Sequence, residues 1–413
     1  MNVLFHNGNR SAAFGGIEHW MLDVAAGLGE RGHRTVLYGR WRAGWLAEGA
    51  RRGLTCVRGF MGVDFHPLAI AWLYTALRRH RIDVVFVKGK KGARSAAVAA
   101  RLAGRGAVVL VLGLEGELSD RLVDRMTWRH ALDRALVLAE EARVWYEGLG
   151  WTTDGRLRVV QKGVDVAALD PARVDGRVTR EHLGISPAAL VVGSVGRLVW
   201  QKGHVFLVDA AARLRSLLPE ARYVLVGAGG EEVALRARAR ALGVEDQMVF
   251  AGYSNDVASL VAAMDVFVIP SRRENMPQVL LESMAMARAV VSTDTIGVRE
   301  LIADGIHGYV VPVGDAAALA ERILRLARDP VLRRRMGGRA RARIVDGYTR
   351  TDMLDRVERL LSELSAERAP VRTMSTRARR SGAAARGMAM TDPTPRVAGS
   401  GILIEGRIGD GDQ

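Results

Sequence analysis

Thiol chemistry is nearly absent from this chain. Cys56 is the single cysteine in 413 residues, which excludes an internal disulfide framework and a cysteine-built metal cluster and fits a reducing compartment. No apolar run approaches the ~20 residues that span a bilayer. The opening MNVLFHNG reads as a first strand and not as a secretion signal, since it lacks a basic start and a long apolar stretch. Aromatic residues make up 6% of the chain. They form no array within a basic groove, so a nucleic-acid partner that stacks its bases is disfavoured. No Asp-x-Asp at a strand end argues for a metal. The expectation is a cytoplasmic protein, either free or peripheral at the inner face of a membrane.

What is present in excess is positive charge: 60 Lys and Arg against 45 Asp and Glu, a net +15. An anionic partner follows, whether nucleotide phosphate, anionic lipid or nucleic acid, and charge alone does not choose between them. A chain of this length exceeds one typical core, so two domains are expected. Apolar runs predict strands over 3–6, 35–38, 55–57, 84–87, 108–112, 135–138 and 157–160. A second series falls at 190–194, 223–226, 248–250, 266–269, 290–292 and 308–311. Between the first two strands, Ile17, Trp20, Met21, Val24 and Leu28 mark one buried helical stripe. Strands alternating with helices make two doubly wound parallel sheets of an α/β protein, each Rossmann-like. Residues 1–163 form the first domain, the turn-rich 164–187 a linker, 188–348 the second domain, and 349–365 a helix that packs back. From 366 to 413 the composition shifts to Arg, Ala, Gly, Ser, Thr and Pro without periodicity, and a disordered basic tail is expected.

The stretch Ser271 to Ser283, SRRENMPQVLLES, is the most informative. Glu274 and Glu282 stand eight positions apart around a turn at Pro277, after the apolar run VFVIP and before the Ala/Met-rich SMAMARA. Strand, polar loop, helix is the order, which puts Glu274 in the crevice beyond a strand's carboxyl end. Glu282 falls in the first turns of the helix, whose N-terminus favours a nearby anion. A second motif, Gly193-Ser194-Val195-Gly196-Arg197-Leu198 followed by Gln201-Lys202-Gly203-His204, offers Arg197 and Lys202 five residues apart at a strand end. Glycine lets the backbone approach a ligand, and the two cations suit a diphosphate. The turn Val226-Gly227-Ala228-Gly229-Gly230 is compatible with a dinucleotide fingerprint or with a structural tight turn. No acid stands at the ribose spacing, which disfavours a dehydrogenase.

In this order GRLVWQKG, VGAGG, SRRENMPQVLLE and Gly297-Val298-Arg299-Glu300 resemble the family 4 retaining glycosyltransferases of GT-B architecture, over residues 1 to about 365. Gly15-Gly16-Ile17-Glu18 is similar to that family's glycine loop. Val160-Gln161-Lys162-Gly163-Val164-Asp165 is similar to another family segment, with Lys-Gly-Val in place of the usual Asn-Gly-Val. The resemblance implies a nucleotide-sugar donor in the second domain, an acceptor on the first, a central cleft between them, and no cofactor or metal. It implies that Arg197 and Lys202 hold the donor diphosphate beside Gly196 and Gly227. Glu274 would face the sugar, with Asn275, Met276, Pro277 and Gln278 lining sugar and phosphate. Glu282 would take the ribose hydroxyls, Gly15 and Gly16 would let the phosphate approach, and Glu300 would lie near the end of the pattern. The family's N-domain His is missing: Val111 to Glu117 holds none, leaving Glu115 or Glu117 to face the cleft, or a different handling of the acceptor.

Other signals stay open. Lys88, Lys90, Lys91 and Arg94 follow a buried strand and read either as solvated charge or as a cationic loop for an anionic acceptor. Trp41, Trp45, Phe60, Met61 and Phe65 read as core or as a lipid-touching surface. His6, His19, His66 and His204 read as structural. The expected function is sugar transfer from a nucleotide-sugar to a cell-envelope glycolipid or polysaccharide. A catalytically inactive nucleotide-sugar-binding paralogue and a sugar-nucleotide epimerase are the alternatives.

Overall fold

The computed structural model describes residues 1–8, 15–61, 64–113 and 116–368. The tail from 369 onward, expected to be disordered, and Glu115 lie outside the described residues. Both strand series form. The first sheet contains β1 (Asn2–Asn7), β2 (Arg34–Gly39), β3 (Thr55–Arg58), β4 (Val84–Lys88), β5 (Ala107–Val111), β6 (Arg134–Val137) and β7 (Leu157–Val159) in the order β3-β2-β1-β4-β5-β6-β7. The second contains β8 (Val191–Val195), β9 (Arg222–Val226), β10 (Met248–Gly252), β11 (Val266–Ile269), β12 (Ala289–Thr293) and β13 (Tyr309–Val311) in the order β10-β9-β8-β11-β12-β13. Every pairing is parallel. Helices cover both faces, so β11 is apolar throughout and β4 is apolar up to its last residue, Lys88, with Val84, Val85, Phe86 and Val87 having no exposed surface. Phe86 stacks on Phe5 of the neighbouring strand with ring centroids 5.3 Å apart.

The strand order reverses between β1 and β4 in one sheet and between β8 and β11 in the other. At such a switch point the two connections leave in opposite directions and open a crevice beyond the carboxyl ends. The loops after β8 and β11 carry Arg197 and Glu274. The two signals that the sequence placed 77 residues apart therefore converge on one crevice.

The chain crosses between the sheets twice, and the crossings are tied together. Val164 N–H donates to Tyr348 O at 3.0 Å and Arg350 N–H to Val164 O at 2.8 Å. A Cβ on Gly163 would lie 2.1 Å from Thr349 O, so glycine alone fits there. Residues 164–187 are not wholly a linker in form. They contain the helix Arg177–His182, whose Arg180 pairs with Asp265 at 2.9 Å on the second sheet. The last helix, Arg350–Arg368, runs three residues past 365, where the tail was expected to begin to lose structure. It buries Met353, Leu354, Val357, Leu360, Leu361 and Leu364 as one stripe. Leu354 fills the space left by Gly27 on the helix Gly16–Glu30, and Arg31 bonds Asp355 at 2.7 Å and Glu358 at 2.6 Å. Among the described residues no helix is long and apolar enough to cross a membrane.

Candidate functional site

Glycines build the second-domain wall by letting backbones touch. A Cβ on Gly227 (φ 138°) would lie 1.9 Å from Gly196 O, and one on Gly229 2.2 Å from Leu198 O. The two turns are thereby laced: Gly196 N–H donates to Val226 O at 2.9 Å and Leu198 N–H to Ala228 O at 2.9 Å. The GAGG turn therefore supports the Gly196-Arg197 turn. Gly203 (φ 61°) brings the next turn against β11, since a Cβ there would lie 2.1 Å from Pro270 O. Arg272 N–H donates to Gln201 O at 2.8 Å, and the Arg272 guanidinium stacks on Trp200 and Phe206 at 4.8 and 4.4 Å. These contacts set Lys202 Nζ 2.6 Å from Glu274 Oε1, which also accepts from Ser271 Oγ at 2.8 Å. Arg197 is exposed on the same turn.

The loop after Glu274 is strained. Met276 is fully buried and sits at φ 49°, a left-handed conformation costly for a residue with a side chain. Its N–H donates to Ile296 O at 3.0 Å, and Gly297 leaves room for the close approach, since a Cβ there would lie 2.9 Å from Met276 N. Asn275 is buried with Oδ1 unpartnered. Pro277 caps the helix Gln278–Ala285. A cavity of about 180 Å³ opens beside Glu274 and is lined by Glu141, Arg272, Arg273 and Asp294 to Ile296.

Glu282 lies in the second turn of that helix, and its carboxyl is not stabilised as an anion. Burial pushes it up to about 7, against the hydrogen bond from Gln278 and the attraction of Lys162. The helix N-terminus expected to favour its charge is outweighed by desolvation. Glu300 faces the first domain: its Oε1 accepts from Glu141 N–H at 2.9 Å, while Glu141 Oε2 accepts from Gly297 N–H at 3.1 Å.

On the first-domain wall, Gly15 and Gly16 open the helix Gly16–Glu30, and Glu18 folds back to accept from Gly15 N–H at 3.1 Å. Glu18 is 1% exposed and pairs with Lys88 at 2.5 Å. Lys90 pairs with Asp124 at 2.7 Å, and Arg94 with Asp64 at 2.6 Å. Of these four cations three are ion-paired within the first domain, Lys88 and Lys90 while half-buried, and Lys91 is exposed. The aromatic signal divides. Trp45 and Met61 are core, while Trp41, Phe60 and Phe65 are exposed. Glu117 lies beside Gly113 and Ile17 on this wall. Burial keeps His6 and His204 neutral, each lowered to about 4. His66 caps the helix Pro67–Arg79.

Lys162 was not among the sequence candidates. It is buried and its charge feels Glu274, Lys202 and Glu282. Its signal was present as the Lys standing where the resembled segment has Asn.

Comparisons with known proteins bear on the family and the fold. Two family descriptions match in succession: Glycosyltransferase Family 4 over residues 14–168 and Glycosyl transferases group 1 over residues 177–343. The lipopolysaccharide core biosynthesis glycosyltransferase LpsE of Rhizobium meliloti is 36% identical over 216 residues, 52% of this chain. The match spans 59% of LpsE, little more than half its length. The UDP-Gal:alpha-D-GlcNAc-diphosphoundecaprenol alpha-1,3-galactosyltransferase of Escherichia coli is 25% identical over 303 residues, 71% of this chain and 78% of that protein. The crystal structure of Anabaena Alr3699/HepE in complex with UDP shares the fold, with a TM-score of 0.76 at 22% identity over 88% of this chain and 100% of that one. With consecutive family matches covering both sheets, and a crevice at both switch points, the chain belongs to the family 4 glycosyltransferases of the GT-B type.

Proposed function

We propose that this protein transfers a sugar, with retention of configuration, from a nucleotide-sugar to a cell-envelope glycolipid or saccharide acceptor. The observation that carries the reading is the Lys202–Glu274 pair, 2.6 Å apart beyond the switch point of the second sheet. As the nucleoside diphosphate departs, negative charge builds on its oxygens and the sugar becomes oxocarbenium-like. Arg197 and Lys202 offset the first charge and Glu274 the second, so the protein's own cations serve the diphosphate without a metal. Gly196 and Gly227 shape the phosphate side of this site, and Asn275 to Gln278 the sugar side, while Glu282 takes the ribose hydroxyls. Gly15 and Gly16 give the phosphate access to the first-domain helix.

The acceptor class follows the relatives, since LpsE is named for lipopolysaccharide core biosynthesis and the Escherichia coli enzyme for a diphosphoundecaprenol acceptor. A membrane-facing role is supported by exposed Trp41, with the Arg58 guanidinium 6.0 Å from its ring, and by exposed Leu68 and Trp72, which line one groove with Arg79. Nucleoside diphosphate release from UDP-, GDP-, ADP- and dTDP-sugars tests the donor reading. Slow release from one donor is expected, lost in Glu274→Ala and Lys202→Ala. A wild-type protein whose melting temperature is shifted by none of the four nucleoside diphosphates would sink it.

A further inference from the structure

Lys162 follows β7 at the carboxyl end of the first sheet, with 4% of its surface exposed. Burying an ammonium without a close partner is costly, and a lysine kept in that position calls for a reason. Glu274 and Glu282 attract it from a distance, without a hydrogen bond, while Lys202 repels it. Its Nζ lies 3.1 Å from the position a Cβ on Gly16 would take, at the first turn of the 15-residue helix Gly16–Glu30. That turn is the positive end of the helix, with amide N–H groups that have no partner within the helix. The Glu18 carboxylate already answers this helix end through Gly15 N–H, so Lys162 is the cation left without a close counter-ion, and an anion bound beside Gly16 would supply one. The lysine cannot easily retreat, because Gly163 and Val164 are locked onto Thr349, Tyr348 and Arg350.

We propose that Lys162 is a third cation of the donor site, holding the donor diphosphate from the first domain while Arg197 and Lys202 hold it from the second. The inference rests on the donor-site reading above and adds to it a clamp that spans both halves of the chain. During transfer the bond between the sugar's anomeric carbon and the terminal phosphate oxygen breaks, and its electron pair stays on that oxygen. The acceptor hydroxyl oxygen forms the new bond to the anomeric carbon, and its proton passes to the departing diphosphate. Lys162 keeps its own proton and neutralises the oxygen on which charge collects. Burial lowers the amine to about 8, so it is still mostly charged at neutral pH.

The test is calorimetric titration of the full chain with whichever of UDP, GDP, ADP and dTDP the wild type binds, and with the matching nucleoside. Lys162→Met is expected to weaken the diphosphate about tenfold or more, as for one charge-assisted hydrogen bond lost, and to leave the nucleoside unchanged. Lys162→Arg is expected to recover much of the loss. Lys162→Met is also expected to melt above wild type, because an unpaired buried charge is removed; Lys162→Gln is the second neutral variant should Met not fold. If Lys162→Met binds the diphosphate like wild type while Lys202→Met does not, the inference falls and the donor site stands. If wild type binds none of the four, both fall.

Discussion

Beyond β4 of the first sheet, Lys88 meets Glu18 at 2.5 Å; across the crevice of the second, Lys202 meets Glu274 at 2.6 Å. The pairs look alike, yet their carboxylates are placed differently. Glu18 also accepts from Asn7 and from Gly15 N–H, using both oxygens, and is 1% exposed. Glu274 receives Lys202 and Ser271 on Oε1 alone, leaving Oε2 unclaimed among the described residues, beside an open cavity. A carboxylate whose oxygens are both engaged fastens the fold, and one with an oxygen to spare is available to a substrate hydroxyl. Proximity of opposite charges alone does not separate the two cases.

The sharpest way to break this comparison is to remove each lysine. Lys202→Ala is expected to lower donor turnover by about 10² to 10³, as for loss of one preorganised charge at a reacting centre, with the fold intact. Lys88→Met is expected to do the reverse. It strands Glu18 in the interior and costs about 3 kcal/mol in chemical denaturation, while donor release by the folded fraction persists. If Lys88→Met abolished release from fully folded protein, the distinction between the pairs would be lost.

Two glycines with left-handed backbones give a further contrast. Gly203 (φ 61°) touches Pro270 O, whereas Gly104 (φ 65°) ends the helix Lys90–Ala103 with nothing within 4 Å of a would-be Cβ. Gly104→Ala is expected to cost about 1 kcal/mol from backbone strain alone. Gly203→Ala should cost clearly more on the same denaturation curve and should also reduce donor release, because it pushes Lys202 off Glu274.

The effect at Glu282 is read through pH. Its folded carboxyl titrates at about 7 against an ordinary 4.5, so the folded state binds this proton more tightly than the unfolded chain. Its stability contribution is fully present below 4.5 and is lost as the pH rises through 7, by about 2 kcal/mol after allowing for its partial exposure. Glu282→Gln should melt near wild type at pH 4.5 and above it at pH 8. An equal difference at both values would contradict the raised carboxyl.

Much of the fold is legible in the residue string, because its signals are local. The thirteen strands of the described residues fall within about two residues of the expected ones, most clearly from apolar runs such as those of β4 and β11, and the first helix follows from the Ile17 to Leu28 stripe. Misses arose where distance in sequence hid proximity in space. Lys88, Lys90 and Arg94 read as solvated charge or a cationic loop, without their partners, because Glu18, Asp124 and Asp64 lie 70, 34 and 30 positions away. Lys162 stands just past the end of a strand, between buried Val160 and Val164, where no repeating pattern announces the burial of a lysine. The helix Arg350–Arg368 outran its predicted end because Glu363 and Arg368 are anchored by Arg158 and Asp133 of the first domain.

The sequence by itself determined the alternation of strand and helix, the glycines that admit close turns, and the motifs that mark a family 4 glycosyltransferase, since each depends on neighbours along the chain. Only the tertiary structure decided the strand order, and through it which strand ends open into the crevice. It also decided which lysines are consumed by the fold and how far Lys162 and Glu282 depart from their ordinary acidity. Those outcomes depend on desolvation and on charges brought close from remote parts of the chain, and no local pattern encodes either.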